Sequence, residues 1–295
     1  MALPLFAPGE DPGPHFVDLL ARIGRGGGDP TGACRTRLGY LPGVPVQVPV
    51  PQGAAVPGAA GGYPPLPHAT TVVAMRYADG VLMAGDRRAT EGHLIAHRAM
   101  EKVFPADDHS VVAIAGVAGP AVEMVRLFQT QLEHYEKVEG VALSLEGKAN
   151  QLGQMVREHL PMAMQGLVVV PLFAGYDLRR GEGRIFTYDV TGGHYEEADH
   201  AATGSGGRDA RNTIKLGWAE GLDRASALDL AIRALYEAAD EDSATGGPDL
   251  VRGIYPLVAT VTSGGYERLE GAEVAERFAL LVEARRAGAG EAGRP

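Results

Sequence analysis

The chain has 295 residues, 45% of them hydrophobic, enough for a full core in one large domain or two small ones. Its net charge is −10, its pI is about 5.4, and Lys and Arg form no long run, so neither nucleic acid nor an anionic membrane is an expected partner. The single cysteine, Cys34, excludes an internal disulfide, no apolar run reaches the ~18 residues of a membrane span, and the N-terminus lacks a signal peptide's basic and apolar regions, so a cytoplasmic location is expected.

Residues 1–69 read as a leader. Arg25-Gly-Gly-Gly-Asp-Pro and Pro42-Gly-Val-Pro-Val-Gln-Val-Pro-Val-Pro are too rich in Gly and Pro for regular hydrogen-bonded structure. Phe16, Leu19, Leu20 and Ile23 would share one face of a short helix from about Pro14 to Arg25. A packed domain is expected over 70–286, followed by a flexible tail over 287–295. Its first strands, Thr71–Tyr77 and Val81–Gly85, flank Asp79-Gly80, a strong hairpin signal. A second strand pair is expected around Lys102–Phe104 and Ser110–Ala115. Gly119-Pro120 opens a helix with Val122, Val125, Leu132 and Tyr135 on its apolar face. Another helix starts near Ser144, carries Leu145, Ala149, Leu152, Val156 and Leu160, and kinks or ends at Pro161.

Strand character returns in Leu167–Ala174 and Arg184–Val190, the second ending in the turn Thr191-Gly192-Gly193. Helices follow over Asp209–Ala219 and Arg224–Glu241, then a strand over Tyr255–Thr262 and a helix over Glu273–Arg286. Helices that come in pairs between β-runs do not make the single crossovers of a parallel doubly wound sheet. The pattern favours an α+β sandwich of mainly antiparallel sheets covered by helix layers.

Thr70 stands where the leader meets the first strand, and by position alone it is an ordinary strand threonine. With Asp79 and Gly80 as a two-residue loop, Ala78 would face Val81 and Asp86 would face Val73. Thr70 would then lie three residues further on, roughly 10 Å away, a gap that a long cation such as Lys102 could bridge while Asp86 holds its ammonium. No His and carboxylate pair of triad type is evident to activate a hydroxyl. The α-amino group of an N-terminal threonine, with a pKa of about 7.7–8.0, would supply the base within the same residue. Such an enzyme must be made with its amine blocked by a leader.

Thr70-Thr-Val-Val-Ala, Met83-Ala-Gly-Asp-Arg-Arg-Ala-Thr90, Lys102-Val-Phe, Ile114-Ala-Gly116, Gly204-Ser-Gly206 and Asp242-Ser-Ala-Thr-Gly-Gly247 together resemble the proteasome β subunits of actinobacteria, over about residues 70–286. The resemblance implies the N-terminal nucleophile hydrolase fold, a four-layer αββα sandwich. It implies a threonine endopeptidase that cuts its own Ala69-Thr70 bond, with Thr70 as nucleophile, Asp86 and Lys102 as charge partners and the Gly116 N–H as oxyanion donor. Ser205 and Asp242 would complete the network around the amine, Thr90 and Ala118 would hold the substrate backbone, and Ala89, Met100, Phe104, Ile114 and Val122 would line the pocket before the cut. An apolar pocket favours apolar substrates. Thr245 stands where the family often has serine and keeps a hydroxyl.

The resemblance further implies four stacked heptameric rings, two of β subunits between two of α subunits. A ring ATPase and a small ubiquitin-like tag would deliver unfolded proteins, and no metal or other cofactor would be required. Plainer alternatives are a surface ion pair between Asp86 and Arg87 or Arg88, an exposed strand lysine at 102, and ordinary turn glycines at 116 and 206. A non-catalytic ring subunit, a small-molecule amidase and a two-ring bacterial protease are the competing functions. His93 and His97 have metal-ligand spacing without the rest of a metalloprotease motif. Gly204-Ser-Gly-Gly207 lacks the lysine of a phosphate loop, and Asp240, Glu241 and Asp242 read as a charged helix end rather than a cation site.

Overall fold

The computed structural model describes residues 70–91 and 94–292. The leader with its Pro14–Arg25 helix, Ala69 and His93 lie outside the described residues. The strands are β1 (Thr71–Tyr77), β2 (Gly80–Gly85), β3 (Ala89–Glu91), β4 (Leu94–His97), β5 (Val103–Asp107), β6 (Ser110–Gly116), β7 (Val169–Asp177), β8 (Glu182–Tyr188), β9 (His194–Glu197), β10 (His200–Gly204), β11 (Leu257–Thr262) and β12 (Gly265–Arg268). The helices are α1 (Ala118–Glu139), α2 (Leu145–Glu158), α3 (Leu160–Ala163), α4 (Gly207–Gly217), α5 (Arg224–Glu241) and α6 (Gly271–Ala292).

Two five-stranded sheets, ordered β10-β1-β2-β11-β12 and β5-β6-β7-β8-β9, pair antiparallel throughout, and β3 and β4 form a separate hairpin. Alternation along each strand explains the layering. Val73 and Met75 of β1 and Leu82 and Ala84 of β2 face α4, α5 and α6, while Val72, Ala74, Val81 and Met83 face the other sheet. Val112, Ile114 and Phe173 likewise face α1 and α2, and Val111, Ala113 and Leu172 fill the space between the sheets. The result is the expected αββα sandwich, with strands apolar on both faces because both faces are covered.

Local signals set the helix ends. Ser144 caps α2 by accepting the Gly147 N–H at 3.1 Å, and Asp223 caps α5 by accepting the Ser226 N–H at 2.9 Å. α2 stops at Glu158, and Pro161 opens the short α3. The buried face of α1 is Ala121, Met124, Val125, Phe128 and Leu132, leaving Val122 half-buried and Tyr135 exposed. α6 runs to Ala292, past the expected start of the tail, and no proline interrupts it.

The first hairpin corrects the expected register. Tyr77, not Ala78, opens the pairing, opposite Gly80, and the two-residue loop is Ala78-Asp79. Gly80 is taken into β2 because it also pairs with Thr262 of β11, where a Cβ would lie 2.1 Å from the Val261 carbonyl oxygen. A close backbone approach, not a left-handed turn, is what needs glycine there. The shift of two residues preserves which side chains face inward. It also moves Asp86 from Val73 to Thr71, whose carbonyl accepts the Asp86 N–H at 3.0 Å.

Candidate active site

Asp86 sits just beyond β2 and Lys102 just before β5, and each is 1% exposed. Asp86 is therefore not in a surface pair with a neighbouring arginine, and Lys102 is not an exposed strand lysine. Their ion pair is 2.7 Å long, and the Lys102 ammonium also donates to the Arg88 carbonyl at 2.5 Å. The Asp86 carboxylate accepts at both oxygens: Oδ1 from the Thr71 N–H at 2.8 Å, Oδ2 from the Arg88 N–H at 2.9 Å and the Gly246 N–H at 2.8 Å. So much donation to a buried anion offsets part of its desolvation. Burial lowers the Lys102 pKa below its ordinary value, against the opposing charge of Asp86.

Thr70 immediately precedes β1 and is 4% exposed. Its carbonyl accepts the Ser205 N–H at 2.8 Å, from the turn that follows β10. Gly204 makes that approach feasible. Its φ is +100°, and a Cβ would stand 1.8 Å from the Thr70 carbonyl oxygen. Short, polar and rich in Ala and Thr, β10 gives no strand signal in sequence, yet it flanks β1 and positions this turn.

Hydroxyls and a carboxylate fill the space behind the turn. Asp242, at the C-terminal cap of α5, accepts at Oδ2 from Ser205 Oγ at 2.5 Å and Thr245 Oγ1 at 2.6 Å, and at Oδ1 from the Ala244 N–H at 3.1 Å. Thr245 is 0% exposed, and its hydroxyl makes the bond to Asp242. Thr71 Oγ1 lies 2.6 Å from Thr245 Oγ1 and accepts the Gly206 N–H at 3.0 Å. Burial alone would raise the Asp242 pKa, but hydrogen bonds from Ser205 and Thr245 outweigh it and hold the pKa below the usual carboxylate value. Stability from this group is present above the unfolded carboxyl pKa of about 3.9 and is lost as pH falls through the lower folded value. Asp242→Asn should therefore flatten the acid side of the stability profile, measured as melting temperature against pH.

Thr70, Lys102 and Gly116 line one cavity of about 170 Å³. Gly116 ends β6 with a φ of +118°. Of the residues expected around substrate, Ala89 and Thr90 of β3, Met100, Ile114 of β6 and Ala118 at the start of α1 line it as well. Two do not. Val122 lines a neighbouring groove that shares Met100 and Ala118, because it lies one helical turn beyond Ala118. Phe104 is half-buried against the core under α1 and α2, because it shares the outer face of its sheet with Val112. Ala96, Ala121, Glu91 and His97 line the cavity too, and no sequence signal marks the first two. His97 is exposed on β4, and no group of three or more His, Cys, Asp or Glu side chains among the described residues could hold a metal ion. No helix among the described residues is long and apolar enough to cross a membrane.

Known sequences resemble this chain along most of its length. The sequence model of the family described as proteasome subunit matches residues 66–251. A proteasome subunit beta of Acidimicrobium ferrooxidans is 58% identical over 284 residues, spanning 96% of this chain and 94% of that one. A proteasome subunit beta of Streptomyces griseus subsp. griseus is 59% identical over 219 residues, spanning 74% of this chain and 78% of that one. The fold, the sequence family and these relatives agree: the chain belongs to the proteasome subunit family, among its β subunits.

Proposed function

We propose that this chain is a threonine endopeptidase, the proteolytic subunit of a barrel-shaped proteasome core, made as a precursor that removes residues 1–69 itself. The observation that carries the reading is that Thr70, Gly116 and Lys102 line one cavity, with Lys102 paired behind it to the buried Asp86. In the precursor, Thr70 Oγ attacks the carbonyl carbon of Ala69. The new C–O bond replaces the peptide C–N bond, the hydroxyl proton ends on the Thr70 nitrogen, and water then hydrolyses the ester to free the leader.

In the mature subunit the Thr70 amine takes the hydroxyl proton as Oγ attacks a substrate carbonyl, then gives it to the leaving amine. Water, deprotonated by the same amine, hydrolyses the acyl-enzyme. Lys102 stabilises the developing charge at Oγ, Asp86 holds Lys102, and the Gly116 N–H faces the oxyanion. Ser205 and Asp242 orient the amine. Thr90 and Ala118 hold the substrate backbone extended, and the cavity behind Ala89, Met100 and Ile114 takes an apolar side chain.

The assembly proposed is four heptameric rings with α subunits outside, in the cytoplasm, fed by a ring ATPase with unfolded or tagged proteins. Neither a metal nor a nucleotide enters the chemistry of this chain. A peptide epoxyketone, which bonds to both the hydroxyl and the amine of an N-terminal threonine, tests the reading. The assembled particle should gain one inhibitor mass per mature chain, localised to Thr70 by peptide mapping. Absence of the adduct on a chain that has lost its leader would contradict it.

A further inference from the structure

Thr71 looks in sequence like the first residue of a strand, yet it joins both halves of the site. Its backbone N–H donates to Asp86 Oδ1 at 2.8 Å, and its side chain, 0% exposed, lies between Gly206 and Thr245. Counting hydrogens fixes the direction of the side-chain bonds. An ionised Asp242 can only accept, so Thr245 gives its single hydroxyl hydrogen to Asp242 Oδ2 at 2.6 Å. The 2.6 Å contact between Thr71 Oγ1 and Thr245 Oγ1 must then use the Thr71 hydrogen. Thr71 Oγ1 in turn accepts from the Gly206 N–H at 3.0 Å. Ser205 is governed by the same count. Its one hydrogen goes to Asp242 at 2.5 Å, and its oxygen lies 3.4 Å from the Thr70 carbonyl oxygen with lone pairs still to offer.

We propose that Thr71 is a positioning residue for the reaction: its hydroxyl anchors the Ser205–Gly206 turn, so that Ser205 donates to Asp242 and presents its lone pairs to the Thr70 amine. The inference rests on the threonine peptidase reading above. An amine that donates to a fixed acceptor keeps its own lone pair aimed at the hydroxyl it must deprotonate. Valine at 71 would keep the shape and strand preference of threonine and leave the backbone bond to Asp86 intact. It would strip the buried Gly206 N–H of its acceptor and Thr245 Oγ1 of its donor, and the turn would move.

The test uses assembled, fully processed particles carrying wild-type, Thr71→Val or Thr71→Ser subunits, with kcat and KM measured across the neutral pH range on a fluorogenic peptide. Thr71→Val should lower kcat by about tenfold or more, leave KM within about twofold, and move the acid limb of kcat. Thr71→Ser should restore both the rate and the acid limb. A valine variant with wild-type kcat and acid limb, or a serine variant as impaired as valine, overturns the proposal. Should Thr71→Val fail to assemble, Thr71→Cys takes its place, because a thiol of similar size is only a weak donor. It should fall between wild type and the loss expected of valine, and a cysteine variant indistinguishable from wild type overturns the proposal. A Thr70→Ala particle measured alongside separates the two readings: if it still hydrolyses the peptide, the threonine mechanism fails, and the role of Thr71 with it.

Discussion

Replacing Thr70 with alanine is expected to abolish peptide hydrolysis and leave the leader attached. Alanine keeps the backbone that Ser205 holds through the Thr70 carbonyl, so the fold and the buried ion pair should survive. Only the oxygen proposed to attack is lost. Deleting a nucleophile from an otherwise intact site lowers turnover by about 10⁴-fold or more, a loss of about 5 kcal/mol of transition-state stabilisation. No neighbour replaces it. Ser205, whose backbone N–H is bonded to the Thr70 carbonyl, already gives its hydroxyl hydrogen to Asp242 at 2.5 Å. The change should appear as an unprocessed band on a gel and background rates on a fluorogenic peptide, with a melting temperature close to that of the wild-type precursor. Thr70→Ser, which restores a hydroxyl, should regain both processing and hydrolysis.

Lys102→Met is expected to cost both activity and stability. Methionine fills nearly the same space but removes the ammonium, leaving the Asp86 carboxylate, 1% exposed, with only the N–H groups of Thr71, Arg88 and Gly246. Removing one partner of a buried ion pair typically destabilises by about 3–5 kcal/mol, because the surviving charge stays desolvated. The Arg88 carbonyl also loses its donor. Chemical denaturation of the isolated precursor should show that loss, and assembled particles should show no processing. The two effects have separate causes. Thr70→Ala removes chemistry and spares stability, whereas Lys102→Met removes both, and that contrast identifies Lys102 as the charge that supports the site rather than as bulk in the core.

The sandwich was legible because hydrophobic pattern and helix caps carry it. Ser144 and Asp223 mark helix starts, and the apolar runs of β1, β2, β6 and β7 are covered on both faces. What escaped the sequence was held by contacts distant along the chain. The hairpin register turned on Gly80 meeting β11, some 180 residues later, so Asp79-Gly80 gave a local signal that the sheet overrode. β10 and β12 are short and polar, and β3 and β4 form a hairpin apart from both sheets, so neither pair announces itself by alternation.

Within the site, Asp86 and Lys102 could be paired by a bridging argument between strands and by resemblance, but the register that sets Asp86 near Thr70 could not be read. The shifted register puts Asp86 opposite Thr71 and shortens its offset from Thr70 from three residues to one. Thr71 itself was invisible, because a buried threonine opening a strand looks the same whether its hydroxyl is idle or bonded. Phe104 and Val122 were carried over by resemblance, and the geometry of β5 and α1 keeps them out of the cavity.

The most direct test of the central claim is the N-terminal sequence and intact mass of the chain after co-expression with an α subunit partner. A mature chain beginning at Thr70 in assembled particles, and a full-length chain in particles carrying Thr70→Ala, is the predicted result. A wild-type chain that keeps residues 1–69 in a complete particle would contradict it and make the subunit a structural one.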